Sequence, residues 1–423
     1  MATTSIASKP SVGRLYWTSF AELEGDSSPA DPLRFDMYAQ RLGNILLPGI
    51  TNRTERVRYL SMVCAGLVET QRTGTSVRES RRAFLPFERG WALAMTVAAE
   101  GKIKVGSDAR DGGRGLKPEF RGLRGANRVL RHYRTLEGRA RIKPTGYILL
   151  QGQDAQGGLG AYLVTLRQFG FVHPNTLGVT ALGRALAQAF APVGTRGIRL
   201  GMLCDERAVE RHHLVRLGGH TTLGRPSDTE RAIVGAAIFE HPRSVVGEVI
   251  RRIDAADPDA GNSERRLAAI ARPDGDPLER AAAFAVAFDP LRIAALKLFA
   301  ALGSALVPRA GAATINELDL DAAELDVIAV RESAAALTIV PPPRGLEPVA
   351  ALARDCADES TLEDTVRSLV AYHRREQRSW IVAEGRDRYR LGRHGPFDPP
   401  TGEFNGYTLG RGYQLRDDAR VPV

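Results

Sequence analysis

Cysteine is scarce in this chain: Cys64, Cys204 and Cys356 lie far apart and form no CxxC pair. So sparse and odd a set excludes a disulfide framework and points to a reducing cytoplasm. Long apolar runs are also missing. The most apolar region, Leu278 to Val307, is interrupted by Glu279, Arg280, Asp289, Arg292 and Lys297. No membrane span of about 18 uncharged residues is therefore expected, and the spacing suits amphipathic helices. The opening MATTSIASKPSVGRLYW has no apolar h-region, so no secretory signal is expected. Catalytic signatures are wanting as well: there is no G-x-x-x-x-G-K-[ST] loop, no G-x-S-x-G elbow and no HExxH. Asp319, Asp321, Glu324 and Asp326 are close in sequence, but Asp321-x-x-Glu324 reads as a helix-start capping box. Glu100-Gly-Lys102 echoes a nuclease core without an upstream strand aspartate. These absences favour a binding protein over an enzyme and assign no catalytic residue and no cofactor.

Basic charge is what the chain does have, and it is focal. Between Gly101 and Lys143 thirteen lysines and arginines face four acidic residues, a local excess of nine that equals the net charge of the whole chain, +9. The other residues sum to zero. Within that segment Arg114, Lys117, Arg121, Arg124, Arg128 and Arg131 step by three and four, the rhythm of one helical face. Pro118 and Glu119 suit a first helical turn, so the spacing predicts a helix from Pro118 to about Leu136. Phe120, Leu123, Leu130 and Tyr133 would face the core. Acids that could relieve repulsion at i±4 are nearly absent, so an anionic partner would turn a cost into a gain. Six phosphate contacts would make log K fall with log salt at a slope of roughly −5. Gly122-Leu-Arg-Gly125 also resembles the GxxG loop with which KH domains clamp a single strand. No strand-helix framework surrounds it, and closely packed helical glycines are the reading taken.

The length, 423 residues, allows two or three full-sized domains. The first hundred residues read as helices: DPLRFDMYAQRLGNILLPG with Leu33, Met37, Leu42 and Ile45 inward, then TNRTERVRYLSMVCAGLVET capped by Thr51 or Thr54, then VRESRRAFLPFERGWALAMTVAAEG. GSDARDGGRGLKP is a loop. Residues 196 to 345 return to alanine-rich helices, and Ser360-x-x-Glu363 opens another that ends in HRREQR. SWIVAEGRDRYRLG then predicts a hairpin turning at Glu384-Gly385, with Arg386, Arg388 and Arg390 on one face. The expected fold is mainly α and multi-domain, divided as 1–110, 111–195, 196–345 and 346–423, the last a helix with a basic β-hairpin.

GGLGAYLVTLRQFGFVHPNTLGVTALGRALAQAF, residues 157 to 190, combines a helix ending at Gly170, two short strands around His173-Pro174-Asn175-Thr176, and a closing helix from Ala181. The stretch resembles the second half of a winged helix-turn-helix DNA-binding domain. With the arginine-rich segment as first helix, the resemblance spans residues ~115–195. It implies a recognition helix on which Gln156, Thr165, Arg167 and Gln168 could reach base edges, with His173 and Asn175 at the wing tip. The remaining outer face, Gly160, Ala161 and Val164, is small and apolar, so duplex binding of weak sequence specificity is expected. The C-terminal helix and basic hairpin repeat the same order, and the Arg386, Arg388 and Arg390 face would supply a secondary contact. The chain as a whole resembles helix-rich bacterial proteins encoded near phage-defence or mobile-element genes. That resemblance implies a context and no reaction; together with the basic segment and the winged-helix pattern, the expectation is a non-catalytic DNA-binding subunit with protein partners. Two alternatives stay open: an adaptor whose winged helix docks an ATPase or nuclease, and a metal-dependent nuclease. Cys204, His212, His213 and His220 fall within 17 residues but fit no common zinc pattern, so no metal is expected.

Overall fold

The computed structural model describes residues 31–421, apart from 52, 72–75, 105–115, 191–198, 261, 308–310, 319–323, 360, 377–379, 386–387 and 393–403. The fold is mainly α, with sixteen α-helices among the described residues and five strands of two to four residues. Periodic apolar sequence and local caps form most of the helices. α1 (Phe35–Leu46) buries Phe35, Tyr38, Ala39, Leu42 and Leu46 on one face. α2 (Val57–Thr70) is buried along most of its length; Thr51 and Thr54 do not cap it, because Arg56 is its N-cap and Thr54 lies in the core. α3 (Val77–Ala98) starts at a capping box: Ser76 Oγ accepts from Glu79 N (3.2 Å), and the Glu79 carboxylate accepts from Ser76 N (2.8 Å).

α4 (Ala126–Arg134), a short α5 (Gln153–Gln156), α6 (Gly158–Gln168), α7 (Ala181–Phe190) and α8 (Arg211–His220) surround this pair. α7 packs on α2, and α4 and α8 pack on α3. The α3–α8 contact is backbone to backbone: a Cβ on Gly218 would collide with the Ala94 carbonyl. β1 (Arg141–Ile142) pairs antiparallel with β2 (Val209–Glu210), Arg141 opposite Glu210.

α9 (Asp228–Gly235), α10 (Val245–Ala256) and α11 (Ser263–Ile270) lead to α12 (Pro277–Leu306). At 30 residues α12 is about 45 Å long and is buried on most sides, as its apolar composition requires. α13 (Glu324–Thr338), α14 (Glu347–Ala357) and α15 (Leu362–Arg375) pack in sequence beside it. Thr361 caps α15 through Asp364 N, one residue beyond the expected Ser360, which lies outside the described residues. β3 (Ala313–Thr314), β4 (Ile381–Ala383) and β5 (Arg388–Leu391) form a sheet in the order β3-β5-β4. The predicted hairpin is therefore present, and Gly385, at φ +81°, makes its turn. α16 (Phe404–Ala419) returns to pack on α1, α9 and α11.

One continuous core runs from Leu33 to Ala419. The boundaries expected at 110, 195 and 345 do not separate cores: α8 packs on α3, and α1 packs on α12. Loops along the chain marked where elements end, and long-range packing then joined them. No described helix is long and apolar enough to cross a membrane.

Candidate nucleic-acid interface

The helix expected from Pro118 to Leu136 is shorter than its charge rhythm suggests. Pro118–Phe120 is a single 3-10 turn, and α4 begins only at Ala126. Gly122 (φ +91°) and Gly125 (φ +70°) hold left-handed conformations that glycine adopts without a Cβ penalty. Both are turn glycines, so the reading of helical glycines is corrected. A side chain at Gly122 would strike the Glu55 carboxylate, and one at Gly125 would strike Leu149. The six cations consequently do not share one helical stripe. Arg114 lies outside the described residues, Lys117, Arg121 and Arg124 project from a loop, and Arg128 and Arg131 belong to α4.

Loop and helix are nonetheless built as one piece. Lys117 N donates to Ile103 O (2.9 Å) and Gly224 N to Glu119 O (2.7 Å). Arg124 N donates to the Tyr59 hydroxyl (2.9 Å), and Arg124 Nη1 to Gln156 O (3.0 Å). Val129, Leu130 and Tyr133 of α4 face the core, while Arg131 and Arg134 are exposed and Arg128 is half-exposed. Among the described residues no carboxylate forms an ion pair with Lys117, Arg121, Arg124, Arg128, Arg131 or Arg134; the nearby pairs, Lys102–Glu100 and Arg141–Glu210, involve other cations. The His132 ring stacks on Tyr147 at 4.5 Å, and burial, with a smaller contribution from the Arg139 charge, pushes its pKa below the usual histidine value.

The β1–β2 pairing extends the basic surface in a direction the sequence does not announce. Arg211, at the start of α8, donates to Leu136 O and to the Tyr133 hydroxyl, both at 3.2 Å. α8 carries no acid, and His212, Arg216 and His220 are exposed along it. Arg134, Arg139 and Lys143 are exposed too; the sequence counted them in the basic segment without assigning them to the interface. Among the described residues no three His, Cys, Asp or Glu side chains converge as metal ligands would. The His212 and His213 rings lie 4.1 Å apart.

The expected recognition helix, α6, is largely core. Leu159, Ala161, Tyr162, Leu163, Thr165 and Leu166 are buried. Thr165 is withdrawn as a base reader: its hydroxyl lies 3.1 Å from that of Thr54 and donates to Gly49 O. Ala161, expected on the outer face, is also buried. Arg167 is half-exposed and reaches Thr176 O (3.4 Å). Gln156 and Gln168 are exposed, but the first ends α5 and the second is the last residue of α6, so they lie at opposite ends of the helix. The hairpin expected as a wing narrows to one bridge, Val172 to Val179, closed by His173 N donating to Gly178 O (2.8 Å). His173 and Asn175 are exposed at its tip. β1 pairs with β2 and not with this hairpin. In the C-terminal sheet Arg388 and Arg390 are exposed to either side of the buried Tyr389. Arg388 donates to Ala312 O (2.7 Å) and Arg390 pairs with Glu384; Arg386 lies outside the described residues.

α6 is seated by a buried carboxylate. Glu88 accepts from Gly158 N (2.6 Å), at the first turn of α6, and from Gln153 Nε2 (3.0 Å). Burial raises its pKa despite these bonds. A carboxyl whose folded pKa is raised contributes most stability below its unfolded value, near 4.3, and loses it as pH rises through the folded value. E88Q keeps an acceptor for Gly158 N–H and removes the charge. Its urea midpoint is expected to gain on the wild type between pH 4 and pH 8; a difference independent of pH would contradict this account.

Comparisons with family models, curated proteins and solved structures match nothing in this chain.

Proposed function

We propose that the chain binds duplex DNA through its phosphates, using α4 and the loop before it. The reading rests on one observation: Lys117, Arg121, Arg128, Arg131 and Arg134 line a single loop-and-helix unit without a described carboxylate partner. Like charges held together in this way repel, and a polyanion with regularly spaced charges relieves that repulsion. Direct reading of bases is confined to Gln156, Arg167 and Gln168, so specificity is weak. The winged helix is retained as a proposal for the hairpin and helices of residues 153–190, with α6 seating the domain more than reading the groove. A place as non-catalytic subunit of a bacterial genome-defence system is the context implied by the sequence resemblance.

A second reading, a protein-docking adaptor, has support outside the stretch that resembles a winged helix. An open, mainly apolar groove of about 510 Å³ lies between α12 and α13, lined by Val286, Pro290, Ala336 and Val340. Ile328 and Ile339 on and beside α13 are 50% and 74% exposed. The two readings are compatible if one face takes DNA and the other a partner.

A salt titration tests the first. Five phosphate contacts give log K a slope of roughly −4.5 against log salt on duplex DNA, and a shallower one on single strands. Tightest binding to duplex DNA is expected, ahead of single-stranded DNA and RNA. Retention of none of the three at low salt would leave the adaptor reading in its place.

A further inference from the structure

The basic loop has no α-helix to hold its shape, and one of its anchors, Arg56, is itself tied to the far end of the chain. Arg56 Nε donates to Arg121 O and Arg56 Nη2 to Pro118 O, both at 3.0 Å. The remaining nitrogen, Nη1, lies 3.4 Å from Asp418 Oδ1 on α16. The other oxygen of that carboxylate accepts from Val57 N at 2.8 Å, at the first residue of α2. A guanidinium is a rigid planar fork, so fixing one edge on Asp418 aims the other two nitrogens at the loop carbonyls. The relay is sheltered, with the Arg56 and Asp418 side chains 18% and 8% exposed. Neighbouring bonds hold α16 to the same region: Arg411 pairs with Glu55, and Arg231 Nη1 donates to Arg420 O (2.9 Å).

We propose that Asp418 is a positioning residue for nucleic-acid binding: through Arg56 it holds the Pro118–Arg121 turn, so that Lys117 and Arg121 are presented together with the cations of α4. This role rests on the reading of that surface as a phosphate-binding site. It makes a prediction opposite in sign to simple electrostatics. Removing a negative charge near a polyanion site should tighten binding through the field alone. Loss of positioning should weaken it, because two cations drift from the shared surface.

D418N is the informative variant, since its amide oxygen still accepts from Val57 N–H while its NH₂ group cannot pair with Arg56. Three quantities are compared with wild type in the full chain: affinity for a short DNA duplex, the salt slope, and amide exchange across residues 117–125. The expected result is binding weaker by about fivefold or more, with a slope shallower by nearly 2, the share of two lost phosphate contacts. Loop amides should exchange faster, and D418E should recover part of both losses. Equal or tighter binding with the full slope would overturn the proposal. Wild-type protein that retains no duplex at low salt would overturn the underlying reading and this role with it. Exchange rates would then show separately whether the relay still holds the turn.

Discussion

Combining R128E, R131E and R134E is expected to abolish duplex retention while leaving the fold intact. The three side chains project from the outer face of α4, opposite Val129, Leu130 and Tyr133, and no described carboxylate pairs with them. Reversal changes the local charge by six units at the centre of the basic segment. At about 100 mM salt the loss should be at least a hundredfold, since each phosphate contact contributes through counterion release. The unfolding midpoint should shift little, because exposed residues without partners contribute within about 0.5 kcal/mol. Filter retention and thermal unfolding of the same preparation check both halves. Retention unchanged to within a factor of two would remove α4 from the interface. Arg124 is deliberately left out of this set, since its bond to Gln156 O ties it to α5 and its loss would disturb packing as well as charge.

The largest effect on stability is expected at a buried ion pair between α2 and α9. Arg58 Nη1 lies 2.9 Å from Glu230 Oε2, with the two side chains 1% and 0% exposed. Arg58 also donates to Phe190 O (3.3 Å) and Arg225 O, while Glu230 accepts from Ser61 Oγ and from Ser227 N (2.6 Å). Burial lowers the arginine pKa and raises that of the glutamate in spite of the pairing, so desolvation outweighs attraction at both ends. Removing one partner leaves the other charge stranded in a dry interior, and R58M or E230L alone should cost about 3–5 kcal/mol. Changing both to the apolar residues should cost clearly less than the two singles added together. Urea unfolding of the four proteins closes the cycle. Additive losses would mean that the pair is not coupled and that each side chain acts through its hydrogen bonds alone.

Residues 118–134 show what a sequence conveys about a charged surface and what it does not. Charge accumulation is a property of composition, so the basic segment was visible without its geometry. Helical rhythm is only permissive, because a glycine such as Gly122 or Gly125 fits either a helix or a left-handed turn. Glu55 and Leu149, residues distant along the chain, exclude the Cβ atoms that any other residue would bring there. The same limit applies to α6. Its helix was evident from Leu159, Tyr162, Leu163 and Leu166, but its outer face was misjudged. Thr54 and Gly49, more than a hundred residues upstream, cover Thr165. No spacing signal could have joined α8 to α4, since the connection is a pair of two-residue strands and the arginine Arg211.

Local chemistry in the sequence therefore determined the mainly helical class, the capping box at Ser76, the hairpin turn at Gly385 and the place where positive charge gathers. These depend on neighbours within a turn or two, where propensity, periodicity and capping operate without help. Only the tertiary structure decided which helix faces stay wet, which glycines turn the chain, and that the expected domains share one core. Those outcomes arise from contacts between distant residues, whose burial outweighs the small local preferences that a sequence pattern records.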